Sequence, residues 1–486
     1  MSITILQREL KEVELKDTLY DKYLDFMKEI LETRFREKLD YVIKSTYNMS
    51  PCLLIKISQP PETSVEVLIV AARNPKYSIS GVHARYEFLQ EISQIIEIYT
   101  YFFVETGGFG HIYFIYVPGQ PIIPLRQLTR KHKVVEKLFF ENMFYLFVFS
   151  MLISVGIYLL LYTFIPLEYL PIAIILSQTP LLIFAPQIVD ALTDWVISKD
   201  SPTVVIVDIS LPFNEYDNFI RNIFNKYKYE IKREIYNAIS NDFTSEGNNQ
   251  KIADILKNYG ASVDPQYIRV KKIDLYSLVT TVFKKYNLRV PKIILSNIII
   301  PNAAASGVLS SNSVLLITSG LLVKLNDDEI MAVIGHEASH MKNKDPLIFY
   351  LLSSVEYLTR VYILACVLYP LLIRLGLFFE LVYLYVSLTA LFFVAKFLEA
   401  RADIESAVVL GKGPALAAAL KKIGLRRLLR EIKVYGRTRS WLLWDPHPPI
   451  AFRILLLEKI QELHVKNPWI FSIKCCLKDF LESLTL

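Results

Sequence analysis

The sequence predicts an α+β protein with transmembrane helices. Three observations lead there. Hydrophobic residues make up 53% of the 486 residues, and the mean hydropathy of +0.33 lies above that of ordinary soluble domains. Four apolar runs, 143–165, 169–189, 347–373 and 375–395, each approach or exceed the ~20 residues a spanning helix requires. Around them lie polar stretches in which strand alternation and helical spacing follow one another, so the parts outside the membrane are mixed in class.

Residues 1–137 read as an N-terminal soluble α+β domain of unknown role. A charged amphipathic helix is expected over 19–44. Strands are expected at 53–58 and 65–71, split by Gln59-Pro60-Pro61, a turn signal. A helix at 84–99 and an aromatic strand at 111–117 complete it. His83 and His111 stand apart from other ligand-type residues and read as structural or surface groups.

A basic collar follows: Arg126, Arg130, Lys131, Lys133 and Lys137. It leads into a transmembrane hairpin over 138–190, whose first run is free of charge and whose turn is Pro166-Leu167-Glu168. Residues 191–272 form a second soluble insertion, with a strand at 203–209, a charged helix at 214–240 and a polar loop at 242–250. Residues 273–486 contain a second apolar hairpin at 347–395. In it Glu356 and Arg360 share a helix face, and Glu380 is a lone acid.

Charge sets the expected topology. Lys and Arg collect on the cytoplasmic side of spans, so the collar belongs inside. The loop at Glu168 and the connection at Arg374 belong outside. Lys412, Lys421, Lys422, Arg426, Arg427 and Arg430 then fall inside. Four spans place both termini and the long soluble segments in the cytoplasm. The start of the chain lacks the basic-then-apolar layout of a signal peptide, so internal segments are expected to direct insertion. Net charge is +6, from 54 Lys and Arg against 48 Asp and Glu, without a long basic run. No nucleic-acid partner is expected. Cys52, Cys366, Cys475 and Cys476 lack metal-site or redox spacing and read as reduced thiols.

The chemistry concentrates at His336-Glu337-Ala338-Ser339-His340. Asn326 and Glu329 can form the two halves of a capping box, and Asp327 and Asp328 suit the positive end of the helix dipole. Ile330, Val333 and Ile334 supply the buried face, and Pro346 sets an expected end near Asp345. On that helix His336 and His340, four apart, project from one face and make half of a tetrahedral zinc site. Glu337 is placed to act as a general base there. With 7 His in the chain, the pattern arises by chance in on the order of one such sequence in a hundred. The alternative is a helix with two surface histidines, which the adjacent apolar face opposes. A third ligand is needed. Glu399 is a candidate, with Asp403 four residues on the same face. From spacing alone a solvated helix start is the default reading, because Glu405 is also near.

The chain resembles the HtpX-like membrane metallopeptidases, relatives of the CAAX prenyl endopeptidases. The resemblance rests on ordered pieces. Pro301-Asn302-Ala303-Ala304-Ala305-Ser306-Gly307 looks like their substrate-edge segment. Leu316-Ile317-Thr318-Ser319-Gly320-Leu321-Leu322 looks like the strand and turn before their motif helix. Residues 335–345 match the zinc helix, and Glu399-Ala400-Arg401-Ala402-Asp403 their E-x-x-A-D element. His447-Pro448-Pro449 with Arg453 is similar to their C-terminal element. The similarity covers 274–345 and 396–460.

It implies a mostly helical zincin-type catalytic domain with a small sheet and one Zn2+ per chain. The implied ligands are His336, His340 and Glu399, supported by Asp403 and Arg453. Glu337 is the implied base and His447 an implied oxyanion donor. Asn302, Ala303 and Ala304 would bind extended substrate. Ala304 stands where the family has a bulkier aromatic, which bears on pocket shape. The implied activity is hydrolysis of peptide bonds at the cytoplasmic membrane face, on unfolded or damaged membrane proteins. Two other readings stand beside it: a membrane-anchored scaffold with a structural metal, and a transporter using Glu356 and Arg360.

Overall fold

The structure, a computed structural model, describes residues 3–10, 13, 15–35, 39–59, 63–82, 86–107, 109–124, 143–190, 192–245, 247–307, 312–362, 377–431, 436–460 and 465–484. The basic collar Arg126, Arg130, Lys131, Lys133 and Lys137 lies outside them. So do His83, His132, His464, Cys366, Arg374 and residues 363–376 of the third apolar run.

The strands in chain order are β1 (Ile3–Glu9), β2 (Leu39–Tyr47), β3 (Ser50–Gln59), β4 (Thr63–Val70), β5 (Lys76–Val82), β6 (Phe109–Tyr116), β7 (Trp195–Ile197), β8 (Thr203–Pro212), β9 (Ile268–Asp274), β10 (Lys292–Ser296), β11 (Ala303–Ser306) and β12 (Val314–Thr318). The chain divides into two compact units. One joins Met1–Phe114 to Val207–Lys271, and the other joins Ile115–Ile206 to Lys272–Leu486.

In the first unit a five-stranded antiparallel sheet runs β1-β5-β4-β3-β2. Alternation gives it one buried face: Ile55, Ile57, Val65, Val67 and Ile69 share a core with Met27, Leu31, Ile92 and Ile96 of helices Tyr20–Phe35 and Tyr86–Thr106. On the other face Glu66 lies opposite Lys56 and Ser80. The helix expected to reach residue 44 stops at Phe35. Beyond it Tyr41-Val42-Ile43 is richer in strand-forming than helix-forming side chains, and it pairs with β3. The helix expected over 214–240 is broken by a π turn, Ile220–Phe224. A three-stranded sheet of order β6-β8-β9 completes the strands.

The second unit holds a four-stranded sheet of order β11-β12-β10-β7. β10 and β12 run parallel, while β11 and β7 are antiparallel to their neighbours. β11 is therefore an edge strand. The motif helix, Asp327–Asn343, lies against the long helix Leu377–Leu410. Gly335 sets their closeness: a Cβ there would meet Leu410 Cδ1 at 2.4 Å and Ser406 Oγ at 2.7 Å. Ser406 Oγ also donates to the Ala332 carbonyl at 2.9 Å. The motif helix ends two residues earlier than Pro346 alone implied. Lys344 adopts φ 55° and caps it, and Pro346 sits in the first turn of the next helix, Asp345–Leu358, where a missing N–H costs nothing.

Among the described residues two stretches are long and apolar enough to cross a membrane, Leu170–Asp190 and Leu381–Leu410. The apolar helix Met143–Tyr162 precedes the first. Their surfaces argue against core helices of a soluble protein: Leu176, Phe184, Leu381 and Val386 are each more than half exposed. The third apolar run is helical over Asp345–Leu358, and Glu356 and Arg360 pair there at 3.1 Å.

The close helix contact at Gly335 makes a prediction. Gly335→Val is expected to lose about 1–3 kcal/mol, the usual cost of overpacking, read as a lower melting temperature in detergent. An unchanged transition would contradict the contact.

Candidate metal centre

The motif helix is fixed at its start. The Asn326 side chain accepts the Glu329 N–H at 2.9 Å and Glu329 accepts the Asn326 N–H at 2.9 Å, completing the capping box. Lys422 neutralises buried Glu329 at 2.7 Å. Two turns on, the His336 and His340 rings meet edge to face. Their Nε2 atoms are 3.0 Å apart.

The long helix brings Glu399 to the same point. Its Oε2 lies 3.4 Å from His336 Nε2 and its Oε1 3.4 Å from His340 Nε2. One donor atom from each of the three residues falls within 4.8 Å of the others. A tetrahedral ion bound at about 2.0–2.1 Å spaces its donors about 3.3–3.4 Å apart, so the set fits Zn2+. A second observation agrees: Glu399 Oε2 is buried and makes no hydrogen bond. A carboxylate oxygen in that state calls for a cation.

The far nitrogens face acids. His340 Nδ1 is 2.6 Å from Asp345 Oδ2. His336 Nδ1 is 2.9 Å from Asp403 Oδ1, close enough for an ion pair but off the line of a straight hydrogen bond. Both contacts favour the tautomer that turns an Nε2 lone pair toward Glu399. Arg453 donates two hydrogen bonds to Asp403, at 2.6 and 2.8 Å, and its Nη1 comes within 3.9 Å of Glu399. Arg401, fully buried, bridges Asp345 and Glu405. Glu405 in turn receives Ser339, Asn343 and Lys342.

Glu337 sits on the open side of the motif helix and accepts the Ala305 N–H of β11 at 2.9 Å. Thr318 N–H donates to the Asn302 carbonyl at 3.0 Å, so Asn302 and Ala304 address β12. By strand alternation Ala303 and Ala305 present their backbone to the free edge. His447 stands at the rim, with Nε2 3.8 Å from Glu399 Oε2 and Nδ1 3.1 Å from Asp445. Arg427 holds the carbonyls of His447 and Pro448 at 2.9 and 3.2 Å.

Of the residues singled out in the sequence, His336, His340, Glu399, Asp403, Arg453, Glu337 and His447 meet in this one place, with Asn302, Ala303 and Ala304 on the adjoining edge. The sequence reading missed Asp345 as the partner of His340, and Arg401 behind it. A signal was present: an arginine between two alanines, at the end of a span, must have a counter-ion if buried. His111 is paired, with Nδ1 2.9 Å from Asp208 and 3.2 Å from Ser210 Oγ. Both contacts use one nitrogen, so no Ser-His-Asp relay forms.

The charges shift the histidines. Burial alone would lower the His340 pKa, but the Glu399 carboxylate and the Asp345 contact overcome it and push the value up to about 10. His336 also rises: burial opposes, and Asp403 and Glu399 win. Burial would raise Asp445, yet His447 and Arg427 hold it down at about 2. The ordinary histidine value is ~6.5. The proton on His340 therefore stabilises the metal-free fold fully below about pH 6.5, and that gain is lost as pH climbs toward 10.

Comparison with known proteins points to the same segment. Residues 271–461 match the model of peptidase family M48. The chain is similar to a protein named Protease HtpX homolog from Pyrococcus abyssi, 40% identical over 75 residues, which is 15% of this chain and 26% of that protein. It is 29% identical over 228 residues to Protease HtpX homolog 2 of Methanosarcina mazei, covering 39% of this chain and 72% of the relative. A Chlorobium phaeobacteroides homologue is 25% identical over 224 residues, covering 42% and 77%. The chain thus spans about a quarter of the Pyrococcus relative's length, and more of the other two.

A metal ion at this centre must displace protons at neutral pH. Calorimetric zinc titrations in buffers of different ionisation enthalpy are expected to show net proton release at pH 7. Heats independent of buffer would contradict a protonated His340.

Proposed function

We propose, from this site and from the match of residues 271–461 to the model of peptidase family M48, that the protein is a membrane-embedded zinc endopeptidase. It cleaves extended polypeptide at the cytoplasmic membrane face. The observation that carries the reading is the convergence of His336, His340 and Glu399 on one point, with a buried carboxylate oxygen left open beside Glu337.

His336, His340 and Glu399 would hold one Zn2+ per chain. When bound, the ion supplies Lewis acidity, which activates water and polarises a carbonyl. Glu337 takes the proton of the attacking water at its carboxylate and returns it to the leaving amine. The Ala305 N–H keeps that carboxylate at the strand edge. Substrate backbone lies along β11, addressed by Ala303 and Ala305, with Asn302 and Ala304 shaping the near pocket. Main-chain pairing of this kind tolerates many sequences, which suits turnover of unfolded or damaged membrane proteins. The small side chains of β11 keep the edge accessible. Asp403 and Arg453 orient His336, and Asp345 with Arg401 orients His340. His447 at the rim donates to the developing oxyanion.

In this reading the domain is zincin-type and the chain is multi-pass. Four spans run through 143–165, 169–189, 347–373 and 375–395, with the site and both termini cytoplasmic.

The test is cleavage of unfolded casein by detergent-purified protein, beside Glu337→Gln with equal bound zinc. Chelation should abolish wild-type cleavage, and the variant should lose about 10²–10⁴ in kcat, as removal of a general base does. Equal rates in both proteins would refute the role of Glu337. Bound zinc without cleavage in either would favour the scaffold reading. His447→Gln is expected to keep its zinc and lower kcat by about 10²–10³ with little change in KM. A change in KM alone would contradict its role toward the oxyanion.

A further inference from the structure

The C-terminal helix Pro468–Leu484 buries a mixed side, with Ser472, Asp479 and Ser483 beside Cys476 and Phe480 of an apolar cluster. Ser472, Cys476, Asp479 and Ser483 recur at helical spacing and are 0–6% exposed. Ile470, Ile473, Leu477 and Leu481 recur at the same spacing on the other side and are 45–59% exposed. A helix on a soluble surface keeps such an apolar stripe covered. The inward polar groups are satisfied. Trp441 Nε1 donates to Asp479 at 2.8 Å, Ser472 Oγ to the Trp469 carbonyl at 3.0 Å and Ser483 Oγ to the Phe480 carbonyl at 2.7 Å. Rotating the helix to hide the apolar stripe would pull Asp479 from its partner and bury Lys474 and Lys478, which are exposed beside the stripe.

The surroundings indicate what covers the stripe. The helix rests on the long helix, with Phe480 5.8 Å from Phe393 and Trp469 5.7 Å from Phe397, ring centre to ring centre. Those turns come just after the outward-facing apolar residues Tyr385 and Val386 of the span, 49% and 58% exposed. Leu443 and Trp444, each 48% exposed, extend the open apolar surface along the same helix. The Trp444 ring is 5.9 Å from Tyr385, and its N–H donates to Thr389. An apolar stripe edged by Lys474 and by Lys478, which pairs with Glu482, and continuous with the lipid-facing surface of a span, has the chemistry of an interfacial helix.

We propose that Pro468–Leu484 lies on the bilayer surface. Ile470, Ile473, Leu477 and Leu481 enter the boundary of the acyl chains, and Lys474 and Lys478 face anionic headgroups. The inference rests on the reading of residues 375–395 as a span. It adds a second membrane contact, on the catalytic side of that span. The helix also touches the site's foundation: Arg401, which holds Asp345, stacks over Trp469 at 4.8 Å. The metal centre is thereby fixed close to the lipid surface, which selects peptide bonds exposed at that depth.

The test places a benzophenone amino acid at position 473 or 477 of the full-length protein, in phosphatidylcholine–phosphatidylglycerol vesicles. Position 386 serves as the span control and position 66 as the control outside the membrane. After irradiation, 473 and 477 are expected to gain the mass of one phospholipid, as 386 does and 66 does not. Adducts at 386 but not at 473 or 477 overturn the interfacial helix and leave the span intact. Cross-links from 477 to a second copy, or to another protein, overturn it in favour of a protein interface. Absence of adducts at 386 as well overturns the span and the inference together.

Discussion

Buried negative charge is the constraint on which the site depends. Asp345, Glu399, Asp403 and Glu405 come from two helices and sit close together, each largely removed from water. Such a group of carboxylates is unstable unless cations are built in. Two arginines supply them, Arg401 between Asp345 and Glu405 and Arg453 on Asp403. Removing Arg453 would leave Asp403 with His336 alone, and removing Arg401 would leave Asp345 with His340 alone; breaking a buried ion pair costs about 3–5 kcal/mol in comparable settings. Glu399 Oε2 and Asp345 Oδ1 both lack a hydrogen bond, and of the two residues Glu399 is the one whose oxygens lie 3.4 Å from the Nε2 atoms of both histidines. Its charge is directed at the point between the two imidazoles, where a divalent ion would complete the balance.

The arrangement links backbone geometry to chemistry. Gly335 lets the motif helix approach the long helix until His336 and His340 reach Glu399. The left-handed Lys344 ends the motif helix and brings Asp345 back to His340. β11, the edge strand of its sheet among the described residues, offers its backbone beside Glu337. Each part has a local cause, yet only their combination yields three donors, a base and a substrate edge within one volume.

Much of this could be read from the sequence. The spacing His336-x-x-x-His340 fixes a shared face on any helix, and Asn326 with Glu329 announces where the helix begins. Long apolar runs stand out by length alone. Glu399 was ambiguous, because a carboxylate at the end of an apolar helix looks the same whether it meets solvent or histidines. Only the crossing with the motif helix decides its surroundings. Asp345 was hidden by Pro346, which signals a helix end but not the reversal at Lys344. β5, with Ser78, Ser80 and Gly81, has little strand propensity of its own and is held by its neighbours β1 and β4. The covered face of Pro468–Leu484 was invisible for a related reason: periodicity shows that two faces exist, not which one is covered.

The central claim is that His336, His340 and Glu399 hold one zinc ion together. Zinc-edge X-ray absorption on the loaded protein tests it most directly, measured beside Glu399→Gln. The account predicts one zinc per chain with two imidazoles and only nitrogen or oxygen neighbours at about 2.0–2.1 Å, and a changed, weaker site in the variant. A sulfur neighbour at about 2.3 Å, or an unchanged spectrum in Glu399→Gln, would contradict it.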